Sequence, residues 1–330
     1  MLEKRYEIGD EGIKKGICVH DIMATLGVIQ HSLQEENPQQ ELQQPSASQI
    51  AAPDPIPHSV PQKASPHINP HIKDKRIQKI LLGVVTYKGQ EYCLSPFSTT
   101  LHNLRCPDGI SLDILFVDTS DDEKYVDVLR DRGFTAMWLG RSGSGKRTRI
   151  QNIIDGRNMI RNVFLKHQYD ALLFVDSDVM LQPDALKRLL SHDKDVVMGV
   201  YLHNTIIDGV QHILPVVYLF HDKEKGLLRQ LRQDEAIEGR LIEAAAGGMG
   251  CVLITKRIME KVPLFHTLSK SSTGGEDAAF YKDACTAGFA IFCDTSVKCL
   301  HVPYPIGDER NNYFRFRRKI MEYENTVTFG

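Results

Sequence analysis

The sequence predicts an α/β fold over roughly residues 77–305, with a mainly parallel sheet flanked by helices. Short apolar runs alternate with helix-like segments along this part of the chain, which is the pattern of strand–helix–strand units with right-handed crossovers. Several apolar runs also end on polar residues, most clearly in Ala171–Asp178, where two aspartates follow the run with one residue between them. Ligands of open α/β sheets bind at such strand ends. The fold class therefore already indicates where a site is expected.

The first 76 residues are expected to lie outside this domain. Residues 1–33 carry apolar side chains at helix spacing, which predicts a small helical appendage. The stripe is formed by Ile22, Leu26, Ile29 and Leu33. Because so short a stripe cannot bury itself, docking on another surface or self-association through residues 13–33 is expected. Residues 34–76 hold eight of the fifteen prolines, many glutamines and no aromatic residue, which predicts a disordered linker.

The elements of the main domain follow from the same two patterns, taken in chain order. Short continuous apolar runs between polar segments are assigned as buried strands, and longer segments with apolar residues at helical spacing as helices. Strands are predicted at residues 80–85, 112–118, 135–139, 171–175, 195–201, 214–220, 251–254 and 288–294. Helices are predicted at residues 94–104, 124–132, 150–167, 184–190, 256–262 and 278–287. A basic and aromatic tail, residues 306–330, follows.

Composition restricts the class of protein. The formal net charge of -2 gives no general electrostatic reason for binding nucleic acid, and no specific nucleic-acid partner is expected. The seven cysteines include no C-x-x-C pair, which favours reduced core thiols. No segment has the length of a transmembrane helix or the pattern of a signal peptide, so a cytoplasmic location is expected. The tail leaves open a peripheral contact with a membrane as well as packing on its own domain.

Three predicted strands deliver polar residues to one edge of the sheet. Thr86 and Tyr87 end the first strand, Asp118 ends the second, and Asp176 with Asp178 end the fourth. By themselves the two aspartates allow two interpretations, a helix cap or a cation site, because carboxylates so close together repel unless a cation lies beside them. The convergence of three strand ends favours a nucleotide or metal site.

A second motif gives an alternative function. Gly140–Arg147 nearly matches a phosphate-binding P-loop between a strand and a helix, with Lys146 as its lysine and Asp176 as a magnesium-binding aspartate. However, Arg147 stands where the motif needs Ser or Thr, and the loop follows the third strand of the domain. A P-loop-like nucleotide-binding enzyme, or a nucleotidyltransferase, remains the alternative.

Over roughly residues 78–303 the motifs together resemble the GT-A glycosyltransferases, especially family 2. Phe174–Asp178 is similar to the D-x-D motif of that family. The other matching segments are Val85–Tyr87, Val117–Ser120, Gly156–Asn158, Gly247–Gly250, Gly275–Asp277 followed by Phe280, Ala287–Phe289 and His301. The resemblance implies a GT-A fold and transfer of a sugar from a nucleotide-sugar donor to an acceptor, which is a glycan, a protein or a lipid.

The resemblance also implies roles for individual residues on the donor side. Thr86, Tyr87 and Asp118 would hold the base, Asp176 would contact the ribose, and Arg157 would lie nearby. Gly248 would belong to a small-residue turn close to the donor, although a tight turn without a ligand is an equal interpretation. Asp178 and His301 would coordinate Mn²⁺, or alternatively Mg²⁺; a histidine ligand favours Mn²⁺. An ordinary structural histidine remains the alternative for His301.

On the acceptor side, the resemblance implies an inverting transfer in which Asp277 removes the proton of the acceptor hydroxyl. Glu276 would bind the acceptor. The alternative for both acids is a purely structural one, since acidic residues stabilise the N-terminus of a helix.

Overall fold

The computed structural model of the protein describes residues 77–140, 147–207, 210–268, 275–320 and 323–326. The predicted helical appendage (1–33), the predicted linker (34–76) and Lys146 lie outside the described residues. None of the helices in the described part of the chain is long and apolar enough to cross a bilayer.

Strands and helices alternate through the first half of the described chain, as the sequence predicts. The strands are β1 (Lys79–Thr86), β2 (Ser111–Asp118), β3 (Thr135–Trp138), β4 (Ala171–Val175), β5 (Val179–Met180), β6 (Val196–Val200), β7 (Leu202–Ile207), β8 (Val210–Pro215), β9 (Val217–Asp222), β10 (Leu227–Gln230), β11 (Leu241–Ala244), β12 (Ala246–Gly247), β13 (Cys251–Thr255), β14 (Ile291–Lys298), β15 (Leu300–His301), β16 (Arg317–Ile320) and β17 (Tyr323–Thr326). The α-helices are α1 (Glu91–His102), α2 (Lys124–Asp131), α3 (Arg149–Lys166), α4 (Ala185–Ser191), α5 (Gln233–Ala236), α6 (Lys256–Lys261) and α7 (Glu276–Thr286), with short 3₁₀ helices η1 (Lys88–Gln90) and η2 (Glu309–Phe314).

The main sheet has eight strands in the order β11-β14-β6-β13-β4-β1-β2-β3. β4, β1, β2 and β3 are parallel to one another, which confirms the prediction for this half of the sheet. β13 is antiparallel to both β4 and β6, and β11 is antiparallel to β14. β6 thus runs in the same direction as β4, and β14 is parallel to β6, so six of the eight strands share one direction. The sheet is mixed, with most of its strands parallel as predicted. A strand that is buried on both faces carries no sequence signal of its direction.

Both faces of the sheet are covered by apolar side chains. Along β4, Leu172 and Phe174 belong to the cluster on one face, while Ala171, Leu173 and Val175 belong to the cluster on the other. All five are nearly inaccessible to solvent. This explains why the segment is a continuous apolar run rather than an alternating one, and it makes β4 a rigid base for the aspartates that follow.

Two of the strands predicted in the second half of the chain differ from the observed ones. The strand predicted at 214–220 is divided, because Pro215 has no N–H to donate and ends β8 before β9 begins. The strand predicted from Gly288 begins at Ile291 instead. Gly288, at φ +85°, and Phe289 close α7 with backbone bonds to Cys285 and Ala284, a Schellman motif that suits glycine in the left-handed conformation.

The first part of the predicted tail packs against the domain. Phe314 and Phe316 are buried in the same hydrophobic cluster as Phe174, and the ring of Phe314 lies edge-on to the ring of His301 at 5.3 Å between centroids. η2 therefore forms one wall beside His301.

Candidate functional site

The site lies at the carboxyl end of β4, where Asp176 and Asp178 leave the sheet. The backbone N–H of Asp176 donates to the carbonyl of Gly250 at 3.2 Å, so the loop before β13 lies against the first aspartate. β1 is parallel to both β4 and β2, and Thr86 is in register with Asp118. The strand ends that the sequence singled out thus meet along one edge of the sheet.

Arg157 is the centre of a buried ionic cluster beside this edge. From α3 its guanidinium contacts Asp176 at 3.3 Å and Glu276 at 3.0 Å, and it also donates to Asp277. The second oxygen of Asp277 accepts from the backbone N–H of Met249 at 3.3 Å. One buried arginine therefore joins β4 to the first turn of α7, across 120 residues of sequence in the case of Asp277.

The pKa values in this cluster are shifted because three acids, Asp176, Glu276 and Asp277, share the single positive charge of Arg157. Burial and the neighbouring charge of Asp277 raise the pKa of Glu276 well above its ordinary range, although Arg157 opposes the shift. Burial likewise raises the pKa of Asp176 to about 6, again against Arg157 and with added repulsion from Asp178. Burial alone would lower the pKa of Arg157, but the three acids raise it, so the guanidinium stays charged. Glu276 is the member most readily protonated.

Glu276 is buried, with 9% of its side chain exposed, whereas Asp277 has 23% exposed. Contact of Glu276 with an acceptor would require the side chain to leave Arg157. Of the two acids at the start of α7, Asp277 is the more accessible to solvent.

Asp178 and His301 form a second cluster. β15 pairs antiparallel with β5, which places His301 opposite Val179 and brings its ring next to the aspartate. The Nδ1 atom of His301 lies 2.9 Å from the carbonyl oxygen of Leu202, and its Nε2 atom lies 3.7 Å from Oδ2 of Asp178. A carbonyl can only accept, so Nδ1 carries the proton and, in the neutral ring, the lone pair of Nε2 faces the aspartate.

The pKa shifts of this pair reflect their mutual attraction. Burial alone would raise the pKa of Asp178, but the nearby ring of His301, when it is protonated, and the hydrogen bond from Gln90 lower it below its ordinary value. Burial alone would lower the pKa of His301, yet Asp178 raises it. The two aspartates thus differ: Asp178 is held as an anion, while Asp176 has a raised pKa.

The donor set of Asp178 and His301 fits a divalent cation. Two ligands of one ion, each bonded at about 2.1 Å, stand about 3 to 4 Å apart, and these two atoms are 3.7 Å apart. The bond of Nδ1 to a backbone carbonyl is the support that metal-binding histidines usually have. Within the described residues, no group of three His, Cys, Asp or Glu side chains is arranged to hold a metal. A cation here would therefore take its other ligands from a bound ligand or from water.

The residues predicted to hold the nucleobase, Thr86, Tyr87 and Asp118, lie farther along the same edge of the sheet. Asp118 is fully buried; its Oδ1 accepts from the N–H and hydroxyl of Ser120 at 3.0 and 2.6 Å, while its Oδ2 has no hydrogen-bond partner. Burial raises the pKa of Asp118. Thr86 is buried as well, whereas Tyr87 is 44% exposed. Of these three, Tyr87 offers a ligand the most accessible surface.

The turn containing Gly248 is packed against Tyr201. A Cβ atom at Gly248 would lie 2.0 Å from the hydroxyl oxygen of Tyr201, and one at Gly250 would lie 2.9 Å from the same ring. The tyrosine hydroxyl accepts from the N–H of Gly250 at 3.2 Å. Close packing inside the protein is thus one reason for glycine here, and the role of Gly248 in donor binding stays a prediction.

Gly248→Ala should destabilise the protein by about 1–3 kcal/mol, because the tyrosine must shift to admit the methyl group. Urea unfolding followed by circular dichroism would measure the loss. Tyr201→Phe removes the nearest atom, so the double variant should be more stable than the sum of the two single effects predicts. Additive effects would contradict this packing account.

Three residues of the site were not singled out from the sequence. Gln90 donates to Asp178 at 3.0 Å, Tyr201 lies under the glycine turn, and His203 stacks on His301 with 5.6 Å between ring centroids. Gln90 follows the end of β1 by four residues, which is the only sequence signal for it. Tyr201 and His203 lie at the junction of β6 and β7, and the β7–β8 hairpin had not been predicted.

The fold and site define an α/β protein with an acidic, histidine-containing site at the carboxyl edge of a mixed sheet. No family model matches the chain, and no curated protein matches it. Among solved structures the chain is similar to "Crystal Structure of A197 from STIV", with 17% sequence identity, a TM-score of 0.38, and coverage of 69% of this chain and 87% of that chain. A likeness this distant carries no functional conclusion.

Proposed function

We propose that this protein is a metal-dependent glycosyltransferase of the GT-A type that transfers a sugar from a nucleotide-sugar donor to an acceptor. The observation that carries the proposal is the proximity of two clusters, Asp178 with His301 and Arg157 with Asp176 and Asp277, at one sheet edge. The first supplies metal ligands and the second a partly exposed carboxylate. A cytoplasmic location and the finer GT-A assignment belong to the same proposal.

On the donor side, Asp178 and His301 would hold Mn²⁺ or Mg²⁺, which when bound neutralises the charge of the leaving nucleoside diphosphate. Asp176, with 37% of its side chain exposed, has a free surface for the ribose hydroxyls. The nucleobase of the donor would lie along Tyr87 toward Asp118. Asp118 Oδ2 is buried without a donor, which is costly and fits a carboxylate that accepts from a ligand once its side chain turns outward.

On the acceptor side, Asp277 would act as general base. Its oxygens are fixed by Arg157 and by the N–H of Met249, so the carboxylate is held in one orientation. A fixed carboxylate can take the hydroxyl proton of the acceptor as the oxygen attacks the sugar. Glu276 supports this arrangement through Arg157.

The alternative, a nucleotidyltransferase or P-loop-like enzyme, has less support. The loop that would carry its lysine follows β3, the edge strand, which β2 and β1 separate from β4 and Asp176. The products distinguish the two classes, because the alternative releases pyrophosphate or inorganic phosphate, whereas a glycosyltransferase releases a nucleoside diphosphate.

Incubation with a panel of nucleotide-sugars and Mn²⁺ should release a nucleoside diphosphate, since water can replace the acceptor in a slow hydrolysis. Asp178→Ala should abolish the Mn²⁺-dependent part of nucleotide binding, measured by isothermal titration calorimetry with and without the metal. Asp127→Ala is the control, because the Asp127 side chain is 74% exposed on α2, where it pairs with Arg130. Metal-dependent binding that survives Asp178→Ala, or pyrophosphate as the product, would overturn the proposal.

A further inference from the structure

We propose that Gln90 is a positioning residue that orients Asp178 for the divalent cation. The inference rests on the proposed function, because it concerns the cation assigned there to Asp178 and His301. Gln90 is uncharged and does not titrate, so it forms no ion pair with either cluster. Its carboxamide is nevertheless the one side chain in the described residues that hydrogen-bonds to Asp178 without itself being a candidate metal ligand.

The geometry of the carboxamide shows what it does. The Nε2 atom of Gln90 donates to Oδ2 of Asp178 at 3.0 Å, and this is the same oxygen that faces Nε2 of His301. A carboxylate oxygen has two lone pairs. When the amide takes one, the direction of the other is set, so the aspartate no longer rotates among orientations that turn it from the histidine.

The carboxamide itself is held in one orientation. The hydroxyl of buried Ser177 donates to Oε1 of Gln90 at 2.6 Å, which leaves the NH₂ end toward Asp178. Ser177 is the middle residue of the D-x-D segment. Through its hydrogen bond to Gln90 it helps to fix the orientation of Asp178, the residue that follows it.

The backbone on both sides of this contact is also fixed. The thiol of Cys93 lies 3.0 Å from the carbonyl of Gln90 and 3.2 Å from the carbonyl of Ser177, so it bridges the start of α1 and the turn after β4. Burial, with the nearby charge of Asp178, raises the pKa of Cys93 to about 12, so the sulfur remains a hydrogen-bond donor. Gln90 is therefore part of a rigid support rather than a mobile surface side chain.

The test measures metal affinity, which a residue needed only for stability would not change in the folded protein. Mn²⁺ binding to the full chain with UDP as the probe nucleotide, followed by the electron paramagnetic resonance of free Mn²⁺, gives a Kd for each variant. Gln90→Met keeps the length of the side chain and removes both hydrogen bonds, and we expect it to raise this Kd about 10- to 100-fold. Ser177→Ala should raise it less, because the amide keeps its donor but loses its orientation.

Gln151→Met is the matched control. Gln151 also donates a carboxamide N–H to an aspartate, Asp155, at 2.8 Å, but on the exposed face of α3. The Kd of Gln151→Met for Mn²⁺ should equal that of the unmodified chain. Unfolding curves establish that each variant is folded at the assay temperature, and Ser177→Ala decides the question if Gln90→Met does not fold.

The outcomes separate this inference from the proposed function. If the unmodified chain binds Mn²⁺, Asp178→Ala does not, and Gln90→Met and Ser177→Ala both bind like the unmodified chain, the role of Gln90 is wrong while the metal site stands. If the unmodified chain binds no Mn²⁺ with UDP or with any other nucleoside diphosphate of the panel, both proposals are overturned. A weakened Kd in Gln90→Met with an unchanged Gln151→Met supports the positioning role.

Discussion

Replacing Arg157 with methionine should lower the free energy of unfolding by about 3–5 kcal/mol at pH 8, the range found when one partner of a buried ion pair is removed. Methionine fills much of the same space, so the loss would come from the charges rather than from a cavity. Buried Glu276 and the partly exposed Asp277 and Asp176 would be left without the cation that offsets the burial of the first and the repulsion among all three. Urea unfolding would measure the difference.

The loss should shrink as the pH falls toward 5. Burial raises the pKa of Asp176 to about 6 even beside Arg157, and without that cation its folded-state pKa rises further, so the difference between the two proteins falls as the pH approaches 6 and below. An acid whose pKa is higher in the folded than in the unfolded protein destabilises the fold above its unfolded pKa, and protonation removes that cost as the pH is lowered. The variant therefore recovers stability relative to the unmodified chain in acid.

Two further variants make the prediction specific to the cluster. Arg132→Met, at an exposed position after α2, should change stability by less than about 0.5 kcal/mol. Arg157→Met combined with Glu276→Gln and Asp277→Asn should be more stable than Arg157→Met alone, because two of the three unpaired acids are then neutral. A pH-independent loss in Arg157→Met would mean that packing, and not charge, is what Arg157 supplies.

The sequence predicts β1 to β4 well because these strands depend on local information. Each is a short apolar run, and a parallel arrangement follows from the helix-like segments between the runs. The same logic places Thr86, Asp118, Asp176 and Asp178 at one edge of the sheet. It does not need contacts between distant parts of the chain.

The two clusters depend on contacts that no local pattern contains. His301 reaches Asp178 through the pairing of β15 with β5, two strands of two residues each. Arg157 reaches Asp277 across 120 residues. The resemblance grouped these residues by role and placed Arg157 near the nucleotide, but it gave no sign that the guanidinium lies among three acids. Local pattern gives the elements, and only tertiary packing determines which charges become neighbours.

Asp277→Asn should reduce the rate of sugar transfer, or of donor hydrolysis by water, about 10²- to 10⁴-fold, the usual contribution of a general base. Asparagine has nearly the same shape, so it can still accept from Arg157 through its carbonyl oxygen. It cannot take a proton from a hydroxyl group. Binding of the nucleotide-sugar should therefore change little, because Asp178 and His301 remain in place.

The control for this variant lies on the same helix. Asp283→Asn alters the contact of Asp283 with His266, at 2.8 Å, outside the two clusters, and its rate should match that of the unmodified chain. Release of nucleoside diphosphate from the donor identified in the panel gives the rate, and calorimetry gives donor binding. A rate unchanged in Asp277→Asn would refute its role as base. A parallel fall in donor binding would instead assign Asp277, through Arg157 and Asp176, to the donor side of the site.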